Sequence, residues 1–116
     1  KDDLINSSGY RIGPSEIENT ILSIDEVEMA AVVGVPDDLR GQIIKAVIVP
    51  RNKTYIDSQN AELKDKIKNK VKNKLAAHEY PRIIEFVNEL PLTTTGKIKR
   101  NIIRENHLRK INEQKI

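Results

Sequence analysis

Hydrophobic positions follow two different periods along this chain. Apolar, largely β-branched runs occupy residues 27–35 and 42–50, which predicts two buried strands joined by the polar loop 36–41. In residues 61–77 the lysines alternate as in a strand, but the apolar residues recur every fourth position: Leu63, Ile67, Val71 and Leu75. Because Lys, Asn and Glu are poor strand formers and the segment is long, this pattern predicts an amphipathic helix.

Shorter elements complete the predicted order. A Ser-Ser-Gly turn between two short apolar segments predicts an N-terminal hairpin, and Pro14 marks the first turn of a helix. The predicted bounds are strands at 3–6 and 10–12, a helix at 14–23, an irregular segment at 51–60, a strand at 83–87, a helix at 98–105 and a frayed tail at 106–116. This order predicts a two-layer α+β domain in which helices cover a small central sheet.

The chain has 116 residues, which is enough for one hydrophobic core and not for two. Its net charge of +3 conceals an asymmetry, since residues 1–39 carry two basic and nine acidic side chains, whereas residues 40–116 carry eighteen basic and eight acidic ones. The basic part is suited to a polyanionic partner.

Cysteine is missing from the sequence, which excludes disulfides and thiol chemistry and permits a reducing compartment. No apolar run approaches the roughly 20 residues of a membrane span, and no secretory leader opens the sequence. We therefore expect a cytoplasmic protein without a membrane partner.

The segment 90–100 concentrates candidate chemistry, with the sequence Leu-Pro-Leu-Thr-Thr-Thr-Gly-Lys-Ile-Lys-Arg. It puts the ammonium of Lys97 on a polar loop, where its long side chain can meet a phosphate or carboxylate oxygen. The segment is not a phosphate-cradling P-loop, because that motif needs glycine where Pro91 stands and Ser or Thr where Ile98 stands. We therefore expect the lysine to reach a ligand that is held elsewhere.

Two motifs at opposite ends of the chain carry a family resemblance. They are Ser-Gly-Tyr-Arg-Ile-Gly-Pro-x-Glu-Ile-Glu at residues 8–18 and Leu-Pro-x-Thr-x-x-Gly-Lys-Ile-x-Arg at residues 90–100. Together they resemble the C-terminal domain of the adenylate-forming enzymes, the superfamily of acyl-CoA synthetases, peptide-synthetase adenylation domains and luciferases. The first motif, with Tyr-Pro-Arg-x-Ile-Glu-Phe at residues 80–86, looks most like short- and medium-chain acyl-CoA synthetases, acetyl-CoA synthetase included.

The resemblance covers nearly the whole chain and implies one mobile lid domain, residues 1–116. In it, residues 1–13 form the hinge and hairpin, 14–105 the α+β core and 106–116 the tail. Because the chain begins inside a motif and not at a methionine, we expect it to be a piece of a longer protein. A large N-terminal domain then carries most of the substrate sites, and we expect the isolated lid to be inactive.

Several residues acquire roles from the resemblance. It implies that Lys97 is the catalytic lysine of the adenylation step and that Asp2 is the hinge residue. Gly9 resembles the glycine that lines the tunnel for the pantetheine arm of coenzyme A, where a missing side chain leaves room for a thin ligand. Arg11 resembles a nucleotide-binding arginine. Lys72 stands where some acetyl-CoA synthetases carry a basic residue that binds the phosphates of coenzyme A.

Other positions carry weaker expectations. Arg40 and Lys45 flank a glycine in the strand-loop-strand unit and are weaker phosphate-binding candidates. His78 and His107 have no companions at metal-ligand spacing, so we expect surface or packing roles and no metal site. Leu92 departs from the lysine common at that point of the family motif, which affects a secondary contact only.

The implied function is that of an acid-thiol ligase. It activates a small carboxylic acid with ATP to an acyl adenylate and transfers the acyl group to coenzyme A, with Mg²⁺ bound mainly by the N-terminal domain. Three alternatives remain: a lid of a superfamily member that does not use coenzyme A, a basic nucleic-acid-binding module that uses the 61–77 helix, and a protein-interaction domain in which the Gly-Lys loop is incidental. With three Tyr and one Phe, the chain has few rings for base stacking, so we expect no nucleic-acid partner.

Overall fold

The computed structural model describes residues 3–114, and its elements follow the predicted order. They are β1 (Ile5–Ser7), β2 (Tyr10–Ile12), α1 (Pro14–Leu22), β3 (Val27–Asp37), β4 (Gly41–Pro50), α2 (Thr54–Ser58), α3 (Ala61–Lys74), a single 3₁₀ turn (Ala77–Glu79), β5 (Ile83–Phe86) and α4 (Arg100–Gln114). The hairpin, the strand-loop-strand unit and the long lysine-rich helix are confirmed.

Strand β4 is the centre of the sheet. β3 pairs with it antiparallel along one whole edge. β1 and β5 share the other edge, where β1 meets β4 through Ser7 and Gly41 and β5 runs parallel to it from Lys45 and Ile83 onward. β2 extends the sheet beyond β1. The N-terminal hairpin and the segment that leads into β5 therefore lie along the same edge.

Both faces of the β3–β4 pair are apolar. Successive residues of β3 point to opposite faces, so Ala30 and Val32 join one core cluster while Ala31 and Val33 join another. Helices α1 and α3 cover the first face, and α4 covers the second through the buried Ile103. The α+β class and the helix-covered sheet are confirmed, and α4 adds a partial layer beyond the two predicted.

Two segments differ from their predicted structure. Residues 51–60 are not wholly irregular, because they contain helix α2. At the start of this helix the side-chain oxygen of Asn52 accepts a hydrogen bond from the Thr54 N–H at 3.1 Å. The last helix does not end near Glu105 but continues to Gln114. Its extension contacts the domain through His107, which is 9% exposed and lies one turn after the buried Ile103. The predicted tail is therefore largely helix.

Lys45 is not a phosphate-binding candidate, because its side chain is buried beneath α4. The residue is 4% exposed. Its Nζ lies 3.1 Å from a carboxylate oxygen of Glu85 and 2.9 Å from Nδ1 of His107, and Lys110 makes a second ion pair with Glu85. An ammonium in an apolar interior needs such partners. The cluster explains why a lysine is tolerated inside an otherwise apolar strand.

The cluster shifts two pKa values in the same direction. Burial of the ring, and after it the neighbouring ammonium of Lys45, lower the pKa of His107 below its ordinary value. Burial alone would raise the pKa of Glu85, but its hydrogen bonds to Lys110 and Lys45 outweigh that effect and lower it. Neutral His107 with its proton on Nε2 leaves Nδ1 free to accept a hydrogen bond from the Lys45 ammonium.

We expect the free energy of unfolding of the 116-residue domain to rise with pH up to about 6.5. Because the folded-state pKa of His107 lies below its unfolded value, the folded state binds fewer protons there, and this stabilisation is lost as the pH falls towards the folded-state pKa. His107→Asn removes the titrating ring and should flatten the slope below about pH 6.5. Urea unfolding at a series of pH values measures it. The lowered pKa of Glu85 also makes the free energy of unfolding rise with pH, but in a lower pH range, below the unfolded pKa of Glu85.

The matched control is His78→Asn, which makes the same replacement at an exposed histidine outside this cluster. The control should keep the wild-type slope. Equal slopes in wild type and His107→Asn would contradict the assignment of the pH dependence to the buried ring.

Candidate functional site

Lys97 lies in a closed hairpin loop between the end of β5 and α4. Leu92 pairs with Ile98 across its stem. Thr93 N–H donates to the Lys97 carbonyl at 2.8 Å, and Gly96 N–H donates to the Thr93 carbonyl at 3.0 Å. Gly96 has φ +88°, the left-handed conformation that closes a three-residue turn of this kind.

The threonine hydroxyls serve the loop itself. Thr93 Oγ1 accepts the Lys97 N–H at 3.0 Å and shares a hydrogen bond with Thr95 Oγ1 at 3.0 Å. Thr94 is exposed and remains the threonine best placed to donate to a ligand. Leu92, the departure from the family motif, is 39% exposed at the stem, where its backbone makes the bridge.

The side chain of Lys97 is exposed, and within residues 3–114 the structure gives it no ion pair. Its neighbours fix the base of the loop. Lys99 N–H donates to the Pro91 carbonyl at 2.9 Å, and Ile98 packs against the core cluster under α4. The described chain therefore presents an unpaired ammonium on a backbone that is held at both stems.

An ion-pair network lies directly after this loop. Arg100 Nη2 is 2.7 and 2.8 Å from the two carboxylate oxygens of Glu18 on α1, and Glu18 Oε2 also accepts the Val32 N–H at 2.8 Å. Asp3 lies 3.5 Å from both Arg100 and Arg104. In the sequence, Glu18 and Arg100 stand out only as the last residues of the two motifs. That membership was the available signal in the sequence, and the structure shows that the last residues of the two motifs contact each other.

Gly9 lies at the tip of the N-terminal hairpin. It has φ +86°, and a Cβ added at this position would have no other atom within 4 Å. Ser8 N–H donates to the Arg40 carbonyl at 2.9 Å, which ties the tip to the loop between β3 and β4. Arg11 is exposed on β2, opposite Asn6. Asp2, the predicted hinge residue, lies outside the described residues.

Aromatic rings and cations collect beside this hairpin. The ring of Tyr10 stacks on that of His78 with centroids 3.8 Å apart and planes 10° apart. Lys72 Nζ lies 4.3 Å from the ring centroid of Tyr80, and Arg82 Cζ lies 5.0 Å from it. We call Tyr10, Lys72, His78, Tyr80 and Arg82 the hairpin-side cluster. Cations over ring faces are held by the ring quadrupole without losing their charge.

The structure thus stacks Tyr10, the residue after Gly9, on His78, which stands two residues before the Tyr80 that Lys72 faces. The Lys97 loop leads instead into Arg100, which contacts Glu18 on α1 and Asp3 near the start of the described chain. Lys72 is the member of the hairpin-side cluster that was predicted to bind coenzyme A. The stacking of His78 on Tyr10 agrees with the expected packing role of this histidine.

Two kinds of site do not arise within residues 3–114. No three His, Asp or Glu side chains meet in a way that would hold a metal ion. No helix in that range has the length and apolar character needed to cross a membrane.

Comparison with known proteins identifies the family of this domain. Residues 16–97 match the AMP-binding enzyme C-terminal domain. The chain belongs to that family. Its two motifs, which the structure connects through Glu18 and Arg100, are thus parts of one AMP-binding C-terminal domain.

Relatives of this AMP-binding C-terminal domain are acyl-CoA synthetases and ligases. "Acyl-coenzyme A synthetase ACSM4, mitochondrial" of Rattus norvegicus is 48% identical over 107 residues, which are 90% of this chain and 18% of the relative. "4-hydroxybutyrate--CoA ligase 1" of Metallosphaera sedula is 48% identical over 104 residues, again 90% of this chain and 18% of the relative. The crystal structure of Brucella canis acyl-CoA synthetase superposes with a TM-score of 0.85 at 45% identity, covering 94% of this chain and 20% of that one. The chain therefore spans about a fifth of the length of these relatives.

Gly96 should be the residue on which the shape of the loop depends. We expect Gly96→Ala to lower the free energy of unfolding by about 1–2 kcal/mol, because φ +88° is strained for any residue with a Cβ. Denaturant unfolding of the domain measures the change. Gly13→Ala is the control, since Gly13 has φ −83° and, like Gly96, open space where a Cβ would stand. A loss for Gly13→Ala as large as that for Gly96→Ala would contradict the role of the left-handed conformation.

Proposed function

We propose that this chain is the mobile C-terminal domain of an ATP-dependent acyl-CoA synthetase. The whole enzyme activates a small carboxylic acid to an acyl adenylate and then transfers the acyl group to coenzyme A, releasing AMP. The observation that carries the proposal is the exposed ammonium of Lys97, which has no ion pair within residues 3–114 and stands on a loop closed by its own hydrogen bonds. The names of the relatives support the class of reaction.

Lys97 serves the first half-reaction. A carboxylate oxygen attacks the α-phosphorus of ATP, the new acyl-phosphate bond forms, and the bond to the leaving pyrophosphate breaks. Two anions approach each other in this step, so a cation placed between them stabilises the transition state more than the separate reactants. Because the lysine is carried by a lid, it reaches the phosphate only when the lid closes. Mg²⁺ would be held by the N-terminal domain, outside this chain.

Gly9 and the hairpin-side cluster serve the second half-reaction. The thiolate of coenzyme A attacks the acyl carbonyl carbon, and AMP leaves with the bonding electrons. At the hairpin tip the bare Gly9 leaves room for the thin pantetheine arm. Lys72 and Arg82 offer two cations for the phosphates of coenzyme A, and both are held against Tyr80. Arg11, exposed on β2, is proposed to contact the nucleotide.

The nucleic-acid alternative is less well supported. Lys66 on α3 forms an ion pair with Glu26 at 3.0 Å, and the three Tyr and one Phe of the chain give few rings for base stacking. A stripe that binds a phosphate backbone needs cations that are free to replace counterions.

Residues outside this chain are expected to determine which carboxylic acid the enzyme uses. The acyl-binding pocket is proposed to lie in the N-terminal domain, so a preference for acetate or for medium-chain acids does not follow from these residues. The cytoplasmic location also stays a prediction, and the relative from Rattus norvegicus carries the word mitochondrial in its name.

In the full-length enzyme, Lys97→Ala should lower the adenylation rate by about 10²-fold or more, the effect of losing one preorganised charge. Conversion of preformed acyl adenylate and coenzyme A to thioester should change much less. ATP–pyrophosphate exchange measures the first step, and thioester formation from synthetic adenylate measures the second.

Lys99→Ala is the matched control, because Lys99 is an exposed lysine two residues away on the same loop stem. It should retain both activities. Pyrophosphate exchange at the wild-type rate in Lys97→Ala would remove the basis of the proposal.

Gly9→Leu should retain adenylation and lose thioester formation, because the added side chain occupies the proposed path of the pantetheine arm. Gly9→Ala carries the same backbone strain at φ +86° but adds a single methyl group, so it separates strain from obstruction. It should fall between wild type and Gly9→Leu. If Gly9→Leu is folded and loses both activities equally, the hairpin does not line the coenzyme A path.

A further inference from the structure

The carboxylate of Glu18 is one of the few buried charges in residues 3–114. The residue is 7% exposed, although it lies on a helix whose other acidic residue, Glu16, is exposed. Both of its oxygens are engaged, by the guanidinium of Arg100 at 2.7 and 2.8 Å and by the Val32 N–H at 2.8 Å. A buried carboxylate is tolerated only when it is paired in this way.

The pair joins three elements that are remote in sequence. Glu18 comes from α1, Val32 from the edge strand β3, and Arg100 from the first residue of α4. The two charged residues are separated by 82 positions along the chain. Contacts of Ile98 and Leu90 with the core hold the loop stems by apolar packing, which has no preferred direction. The short contacts from Arg100 to both carboxylate oxygens of Glu18 add the missing orientation.

We propose that Glu18 and Arg100 are positioning residues for Lys97. This inference rests on the proposed function of Lys97 in adenylation. Arg100 stands three residues after the lysine, at the end of a stem that the Lys99–Pro91 hydrogen bond closes. The ion pair therefore sets the direction in which the loop leaves the sheet. A displacement of about 1 Å at a reacting group costs up to 10²-fold in rate, so this orientation bears on catalysis.

Asp3 extends the network to the start of the described chain. It lies 3.5 Å from Arg100 and 3.5 Å from Arg104, and its side chain is 37% exposed. These contacts are longer and more exposed than the Glu18 pair, so their contribution is small. They nevertheless link the segment that leads into the domain with the helix that follows the catalytic loop.

Glu18→Gln in the full-length enzyme tests the inference. Glutamine keeps the size of the side chain and an oxygen for the Val32 N–H, but it removes the charge that orients Arg100. We expect kcat for ATP–pyrophosphate exchange to fall about 10-fold or more, with KM for ATP and for the carboxylate within about twofold of wild type. Thioester formation from preformed adenylate should be unchanged.

Two further variants separate positioning from general stability. Glu26→Gln makes the same replacement at an exposed ion pair with Lys66 and should leave both half-reactions intact. Arg100→Lys keeps the charge but loses the two-pronged geometry, so it should lose part of the adenylation rate. It also carries the test if Glu18→Gln does not fold.

A double-mutant cycle with Lys97→Ala gives the sharpest readout. If Glu18 acts through Lys97, adding Glu18→Gln to Lys97→Ala should lower adenylation no further. The inference would be overturned if Glu18→Gln caused its full loss of adenylation in the Lys97→Ala background as well. Equal losses of both half-reactions in the folded variants would also overturn it, and so would adenylation within about twofold of wild type in both Glu18→Gln and Arg100→Lys. If Lys97→Ala itself retains adenylation, the proposed function fails first, and the positioning role fails with it.

Discussion

The antiparallel pairing of β3 with β4 is the interaction on which the rest of the domain depends. The two strands are apolar on both faces, so helices can pack from either side. Each part of the site is attached to this pair: Glu18 through the Val32 N–H, the hairpin through Gly41, and β5 through the backbone of Lys45. The ladder therefore fixes the relative positions of two functional regions that are built on different elements.

The elements that follow a simple period could be predicted from the sequence. The apolar runs of β3 and β4 and the four-residue repeat of α3 each report one local constraint. The end of α4 could not be predicted in this way, because its buried position is filled by His107, a residue that a periodicity analysis counts as polar. Lys45 was misjudged for a different reason. Its partner His107 is 62 positions away, and only the fold shows that they meet.

Lys97 could be proposed from the sequence because its motif is local, and the loop that holds it consists of contiguous residues. Lys45, Lys72 and Lys97 have the same chemistry, yet one is buried in an ion pair, one lies over a tyrosine ring and one is exposed with no ion pair in the described chain. The exposure and the partners of each lysine decide whether it is available to a ligand, and both depend on tertiary contacts. The sequence likewise placed Glu18 and Arg100 in motifs without revealing that they touch.

The hydrogen bonds that shape the Lys97 hairpin run between residues 91–99. Fixing the backbone of one residue costs about 1–2 kcal/mol of conformational entropy, and for this loop that loss occurs when the domain folds. What remains to be ordered at a docking step is the side chain of Lys97 alone, at about 2 kcal/mol. The ammonium can therefore engage and leave a ligand for a small entropic loss, which suits the role proposed for Lys97 on a lid that opens and closes.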